Sequence, residues 1–259
     1  MLYLMMPMYN EENSIVALLD NVKRVAPHLG DTLKVVIVDD GSSDASVKKV
    51  EEFTGKKPPF AIQLLPHKIN QGLGQAMRTG IYHLAKTVAD DDIIFTMDAD
   101  NTHNPDHMID LKKKIEEGND VVVASRYCSG GEEKGLKLYR SILSSGASTL
   151  LKLCFNCKGI RDYTCGYRAY RGSLLKTAYA AYGNNLIKEN GFTCMAELLI
   201  KVHPLALGAS EVPMILRYDL KGGASKMKIF RTIYRYMHMI RHTRKELVAV
   251  RKTTDRILV

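Results

Sequence analysis

The 259-residue chain predicts an α/β protein built on a mostly parallel sheet with helices packed on its faces. Two observations carry this expectation. Five short apolar runs, at residues 2–6, 34–38, 61–65, 93–97 and 121–125, recur at intervals suited to parallel strands. Between them the apolar positions switch to the helical period, and alternation of this kind argues for β/α/β units.

Taken in order, the first run ends at Pro7-Met8-Tyr9-Asn10-Glu11, after which Ile15, Leu18, Leu19, Val22 and Val25 keep the i, i+3, i+4 spacing of an amphipathic helix. The second run closes on Val38-Asp39-Asp40-Gly41-Ser42. The third leads into Asn70-Gln71-Gly72-Leu73-Gly74-Gln75-Ala76, whose glycines let backbone approach a ligand closely, and into a helix marked by Ala76, Gly80, Ile81, Leu84 and Val88. The fourth, Ile93-Ile94-Phe95-Thr96, runs directly into Met97-Asp98-Ala99-Asp100. Beyond residue 125 the alternation stops. A Gly-rich loop at 129–135, a helix over about 139–157, a mixed region, a late strand at 210–216 and a basic tail from Lys221 follow.

Ligand sites of open α/β sheets lie just past the carboxyl ends of the strands, which places Asp98 and Asp100 in a cleft. Two hard oxygen donors there suit Mg²⁺ or Mn²⁺, ions that leave positions for substrate phosphates and water. A nucleotide-diphosphate substrate is the expectation. Asp90-Asp91-Asp92 carries the same spacing but reads as an exposed loop before the strand. Asp39 and Asp40, just past another strand, are placed to accept hydrogen bonds from a ribose hydroxyl or a base N–H.

Charge divides along the chain. Residues 1–120 hold 13 basic and 19 acidic side chains, net −6, whereas residues 121–259 hold 24 and 9, net +15. The second half is built to meet anions. No RNA-binding signature, zinc finger or helix-turn-helix pattern accompanies the charge, so no nucleic-acid partner is expected. Phospholipid and substrate phosphate remain. No run of about 18 apolar residues exists to span a bilayer. The five cysteines, Cys128, Cys154, Cys157, Cys165 and Cys194, are an odd number without paired zinc-ligand spacing, and no leader segment is seen. Reduced thiols and a cytoplasmic location are the expectation.

The ordered motifs after strands one to four, ending in Asp98-Ala99-Asp100, resemble the family 2 glycosyltransferases of the GT-A fold. Ser125-Arg126-Tyr127, Arg140 with Ser144, Asp162-Tyr163-Thr164-Cys165-Gly166-Tyr167-Arg168, Glu197, Glu211-Val212-Pro213 and Ser225-Lys226 look like the dolichol-phosphate mannose synthase branch. The resemblance implies a metal-dependent hexosyltransferase that moves a sugar from a nucleotide donor, of GDP-mannose or UDP-glucose type, to a polyprenyl phosphate with inversion. It further implies that Pro7, Tyr9, Glu11 and Asp39 or Asp40 hold the base and ribose, with Gln71 and Asp98 in the same nucleotide-binding set. Asp98 and Asp100 hold the metal. Arg126, Arg140, Ser144 and Lys226 receive the acceptor phosphate, with Asp100, Arg126 and Arg140 central to catalysis. Three departures stand out: Thr102 replaces the usual Gln or Ser, Cys165 replaces a common Ser, and the segment from Arg217 to Lys226 is longer than usual, leaving the place of Arg217 open.

Asp162 and Glu197 either orient the arginines or serve as a turn cap and a structural pair. The expected organisation is a GT-A domain at 1–220, its nucleotide-sugar half at 1–125 and acceptor half at 126–220, followed by a basic amphipathic tail at 221–259. From Lys221 to Lys252 ten Lys or Arg oppose only Glu246, while Ile229, Ile233, Met237, Ile240 and Leu247 keep near-helical spacing. Such a helix suits a membrane interface, and Tyr234 and Tyr236 fit it. The competing expectation is a helix docked on its own core or on a partner. Peripheral attachment to the cytoplasmic face through 226–252 follows, with a separate membrane-anchoring subunit left open. Two rival functions also remain: a soluble family 2 transferase acting on a hydroxyl, with Asp162 as its base, and a noncatalytic lipid- or partner-binding module of the same shape.

Overall fold

The computed structural model describes residues 1–135, 138–220 and 229–257, with side chains at 1–135, 144–219 and 234–249. Its elements in chain order are β1 (Leu2–Met8), α1 (Ile15–Val25), β2 (Leu33–Asp39), α2 (Ser46–Gly55), β3 (Ala61–Pro66), α3 (Leu73–Thr87), β4 (Ile93–Thr96), α4 (His107–Glu116), β5 (Val121–Ser125), β6 (Glu132–Lys134), α5 (Leu138–Phe155), β7 (Arg168–Arg171), α6 (Gly172–Tyr182), α7 (Thr193–Val202), β8 (Ala209–Pro213), β9 (Ile215–Arg217) and α8 (Ile229–Ile257). Seven strands form one sheet in the order β3-β2-β1-β4-β7-β5-β8. Only β7 runs against its neighbours.

The strand order reverses at β1. From there the chain steps outward to β2 and β3, then returns to place β4 on the opposite side of β1. Such a switch point opens a crevice at the carboxyl ends of the flanking strands. Strands β1, β4 and β5 are buried along their whole length, as continuous apolar runs covered on both faces should be. Ile15, Leu18, Leu19, Val22 and Val25 form the buried face of α1, as their spacing requires.

The five expected strands all form. The late strand at 210–216 proves to be two. β8 pairs parallel with β5, whereas β9 leaves the sheet to pair with β6. Pro213 lacks a donor for a continuous ladder, and Met214 makes the crossing with its N–H on the Ser125 carbonyl and its carbonyl receiving the Glu132 N–H. β7 was hidden because Arg-Ala-Tyr-Arg is not an apolar run. Asp90 and Asp91 are exposed, but Asp92 turns inward and accepts the Ala89 N–H at 2.7 Å. All five cysteines are free thiols. No described helix is long and apolar enough to cross a membrane.

The basic tail is helical over Ile229–Ile257. Tyr236, Met239, Ile240 and Thr243 face inward and are buried, while Leu247 is half-buried. Arg244 reaches the Cys154 carbonyl of α5 at 3.2 Å and lies over the Phe155 ring. The expected apolar stripe is therefore divided, with Ile240 docked and Met237 outside. Of the two tyrosines, Tyr236 is buried and Tyr234 is exposed. The side chains of Ile229 and Ile233 lie outside the described residues.

A segment before α7 closes the fold against the start of α3, and two glycines mark the contact. A Cβ on Gly72 would sit 2.9 Å from the Asn190 carbonyl, and one on Gly74 would fall on the Glu189 carbonyl. Gly146, inside α5, has open space around it. Gly74→Ala is therefore expected to lower unfolding free energy by about 1–3 kcal/mol through backbone displacement. Gly146→Ala should raise it by about 0.5–1 kcal/mol through helix propensity. Urea denaturation of both variants checks the contrast.

Candidate active site at the carboxyl rim of the sheet

The loops after β1 and β2 are stitched together. Met8 pairs with Asp39 in the parallel register, so the two chains leave the sheet side by side. Asn10, in the left-handed region at φ 53°, receives the Ser43 N–H on its side-chain oxygen at 2.8 Å, and its own N–H meets the Ser42 hydroxyl at 2.9 Å. The Glu11 N–H donates to Ser46 Oγ at 2.7 Å. Pro7 is buried at the end of β1, and Tyr9 and Glu11 lie half-buried beyond it.

Asp39 and Asp40 are both buried but differ in employment. Asp40 accepts the Gln71 N–H at 3.0 Å, the Gly72 N–H at 2.8 Å and His67 Nδ1 at 2.8 Å. Its carboxylate builds the Gly-rich turn ahead of α3. Among the described residues, the Asp39 carboxylate accepts only the Ser42 N–H, at 3.2 and 3.3 Å. Of the two, Asp39 has the greater capacity left for a ligand. The Gln71 side chain is exposed at the lip of the same turn.

Asp98 and Asp100 follow β4, the strand on the other side of the switch point. The Met97 N–H continues the ladder to Met5, so Asp98 emerges next to the end of β1. Asp98 is half-buried and Asp100 buried. Thr102 donates its hydroxyl to Asp100 Oδ1 at 2.6 Å and its N–H at 3.2 Å. Asn101, at φ 59°, makes the bend that allows this. Two carboxylates with a hydroxyl beside them form an oxygen-only donor set, which fits Mg²⁺ or Mn²⁺ rather than a softer ion.

Arg126 follows β5 on the same rim. In the sheet, Thr96 of β4 and Val123 of β5 both pair with Arg168 of β7. Asp98 lies two residues past Thr96 and Arg126 three past Val123, so both leave the same rim within one residue of each other, on strands separated only by β7. The guanidinium is bidentate to Asp162, with Nε and Nη2 each 2.7 Å from a carboxylate oxygen. Nη2 also donates to Thr164 Oγ1 at 2.6 Å, while Nη1 donates to Glu133 Oε1 at 3.0 Å and Ser144 Oγ at 3.3 Å. Burial opposes both charges, and their pairing overrides it. The guanidinium pKa is raised well above its usual value, and the Asp162 carboxyl is held below the carboxylate range.

Asp162 thus orients Arg126, and Glu211 in turn fixes Asp162 by accepting the Arg161 and Asp162 N–H groups at 2.8 Å each. Glu197 does not reach Arg126. It binds Lys201 at 2.7 Å and accepts the Lys188 and Glu189 N–H groups at 2.8 Å. Arg217 is occupied by Asp219 at 2.7 Å, although its backbone N–H touches the Thr102 carbonyl. The Arg140 side chain and Lys226 lie outside the described residues. Sequence reasoning missed Glu133 and Thr164 as partners of Arg126. Thr164 stood inside a quoted motif, whereas Glu133 in a Gly-rich loop gave no signal. Burial pushes the Cys165 thiol up to about 12 and Cys157 up to about 11, so neither supplies a thiolate nucleophile at neutral pH.

A switch-point cleft of this kind, with paired carboxylates after its fourth strand, is the GT-A fold. The model described as Glycosyl transferase family 2 matches residues 3–178, and the chain belongs to that family. It is 28% identical over 235 residues to the dolichol-phosphate mannosyltransferase of Pyrococcus furiosus, covering 90% of this chain and 61% of that protein. It is 29% identical over 222 residues to the polyprenol monophosphomannose synthase of Mycolicibacterium smegmatis, covering 85% and 78%. The chain thus spans about three-fifths of the Pyrococcus protein and more of the Mycolicibacterium one. Among solved structures, glucosyl-3-phosphoglycerate synthase from Mycobacterium tuberculosis, in complex with Mn²⁺, UDP and glucosyl-3-phosphoglycerate, superposes with a TM-score of 0.63 at 19% identity, over 96% of this chain and 79% of that one.

Asp162→Asn keeps the shape and removes the charge that balances Arg126. A loss of about 3 kcal/mol in unfolding free energy at neutral pH is expected, because the variant removes the bidentate partner of a buried cation and leaves it Glu133 alone among the described carboxylates. The native Asp162 pKa lies below its unfolded value of about 3.9. Its stabilisation is present above that pH and is lost as pH falls through the native value. The difference between wild type and variant should therefore narrow below about pH 4, as chemical denaturation across pH will read.

Proposed function

We propose that the chain transfers a hexose, with inversion, from a nucleotide-diphosphate sugar of GDP-mannose or UDP-glucose type to a polyprenyl phosphate. The observation that carries this reading is the placement of Arg126, beside Ser144, on the same rim of the sheet as Asp98 and within one residue of its level. The names of the relatives support a polyprenyl-phosphate acceptor: besides the two above, an undecaprenyl-phosphate 4-deoxy-4-formamido-L-arabinose transferase of Salmonella paratyphi B is 29% identical over 171 residues, covering 66% of this chain and 49% of that protein.

Residues 1–125 take the donor, with Pro7, Tyr9, Glu11, Asp39 and Gln71 around base and ribose. Asp98 and Asp100 hold Mg²⁺ or Mn²⁺, which supplies Lewis-acid stabilisation of the departing diphosphate. Residues 126–220 take the acceptor. A phosphate monoester, with its second pKa near about 6, is largely ionised at neutral pH and needs no strong general base. Its oxygen bonds to the anomeric carbon as the bond from that carbon to the diphosphate breaks. Arg126, held by Asp162, meets the phosphate through Nη1, where the phosphate displaces Glu133; Arg140, Ser144 and Lys226 complete the pocket. The Thr102 hydroxyl fixes Asp100 and so orients the metal site.

The outer face of α8 carries the exposed Tyr234, Met237 and Val248 beside Arg241, Arg244 and Lys245. Apolar anchors among cations suit an anionic membrane surface, each cation adding about 1 kcal/mol. We place the chain peripherally, on the cytoplasmic face. Tyr234→Asp with Met237→Asp should cut co-sedimentation with anionic vesicles several-fold and leave sedimentation with neutral vesicles and thermal stability unchanged.

Transfer of label from GDP-mannose or UDP-glucose into the organic phase, with Mn²⁺ and a short polyprenyl phosphate, tests the reading directly. Lipid labelling should require metal and acceptor, and fall by at least about 100-fold in Asp100→Ala, the loss of a few kcal/mol of transition-state stabilisation. Metal-dependent donor hydrolysis without lipid labelling would overturn the lipid acceptor in favour of a hydroxyl acceptor.

A further inference from the structure

The carboxylate of Glu189 is buried, yet among the described residues its charged partners are two histidines and no lysine or arginine. His242 Nε2 stands 3.1 Å from its Oε1 and His238 Nδ1 3.8 Å from the same oxygen. Among the described residues its Oε2 accepts only the Thr193 hydroxyl, at 2.7 Å. His238 and His242 are one helical turn apart on α8 with ring centroids 5.3 Å apart. One ligand atom from each of the three residues lies within 4.8 Å of the others.

We propose that Glu189, His238 and His242 form a second divalent-cation site, of the Zn²⁺ class, that fastens α8 to the catalytic domain. Tetrahedral bonds of about 2.0–2.2 Å place ligand atoms roughly 3.3 Å apart, so the present separations close on an ion with small side-chain shifts. Two neutral imidazoles and one carboxylate form the borderline donor set that such an ion prefers, in contrast to the all-oxygen set at Asp98 and Asp100. Ligation through Nε2 puts the remaining ring proton of His242 on Nδ1. That atom is buried without a hydrogen-bond partner and faces Glu246 Oε1 at 3.9 Å. His238 is 65% exposed on its side chain, which leaves the fourth position to water.

The neighbouring triple Glu197, His242 and Glu246 does not compete for the ion. Lys201 lies 2.7 Å from Glu197 and 2.6 Å from Glu246, and Lys188 lies 2.7 Å from Glu246. Two ammonium groups already neutralise that pair of carboxylates. The Glu189 backbone is rigid, since Glu197 accepts its N–H and its carbonyl abuts Gly74 at the start of α3. An ion at Glu189 therefore couples the C-terminal helix to the wall of the Gly-rich turn.

The test is titration of the chelator-stripped 259-residue chain with Co²⁺ in excess Mg²⁺, which fills the Asp98/Asp100 site. One equivalent should give the intense visible bands of tetrahedral cobalt without a thiolate charge-transfer band, and Zn²⁺ should displace it. His238→Ala, on an exposed position that does not endanger folding, should weaken binding by at least about 10-fold, and Glu189→Gln likewise. Bound metal should slow amide exchange along α8 and in residues 186–192. Absence of tetrahedral bands, bands that persist in His238→Ala, or thiolate bands reporting cysteine ligation would each overturn the site.

Discussion

Burial of the Arg126 guanidinium is the constraint on which the second half of the site depends. A guanidinium does not shed its proton to escape a dry environment, so its neighbours must supply charge and acceptors. Asp162, with no exposed side-chain surface, supplies the charge. Asp162 is itself held by backbone N–H groups of Arg126, Thr164 and Cys165, while its turn is held by Glu211 on β8. Ser144 brings in α5, and Glu133 brings in β6. One ion pair thereby locks five separate segments around a fork whose five N–H donors are all engaged. Replacing Asp162 by a hydrophobic residue would not be neutral here, because Arg126 would remain.

The first half of the rim uses the same device with opposite geometry. There a carboxylate, Asp40, gathers backbone N–H groups from the Gly-rich turn, while Ser42, Ser43 and Ser46 pair with the loop after β1. These loops are polar and cannot be held by packing alone. Carboxylates that accept main-chain donors fix them within fractions of an ångström, which is what a binding cleft requires of its supporting residues. The consequence for function is a division between neighbouring residues. Asp40 is spent on the frame, and Asp39, one residue earlier, is less engaged among the described residues.

How much of this was legible in the sequence depended on whether a feature was written in apolar periodicity. β1 to β5, α1 and α3 were, because strands buried on both faces and one-sided helices leave unmistakable patterns. β7 was not, because Arg168 is buried by giving Nη2 to the Tyr163 carbonyl and Nη1 to the Met195 carbonyl, an arrangement that pairwise tertiary contact creates and local sequence does not encode. The place of Asp98 and Asp100 just past β4 was legible, because the apolar run ahead of them marks the strand. Glu133 was not, since nothing in a Gly-rich loop says which of two adjacent glutamates, Glu132 exposed or Glu133 half-buried, turns inward. The split of the late strand was foreshadowed by Pro213, whose missing donor marks where β8 must end.

The tail shows why a single amphipathic stripe was too simple an expectation. A helix that met only a membrane would point all its apolar residues one way, and one that met only its own core would leave a plainly polar outer face. α8 does neither. Tyr236, Met239, Ile240 and Thr243 dock inward, and Tyr234, Met237 and Val248 stand outside among cations. Its contact with α5 through Arg244 and Phe155 joins the outward face to the helix that carries Arg140 and Ser144. On the proposed reading this linkage has a physical purpose. A polyprenyl phosphate presents its headgroup at a fixed depth in the interface, so the enzyme gains most if the surface that meets lipid is rigidly tied to the side chains that meet phosphate. Docking half of α8 on the core provides that tie, at the cost of part of the helix's membrane-facing area.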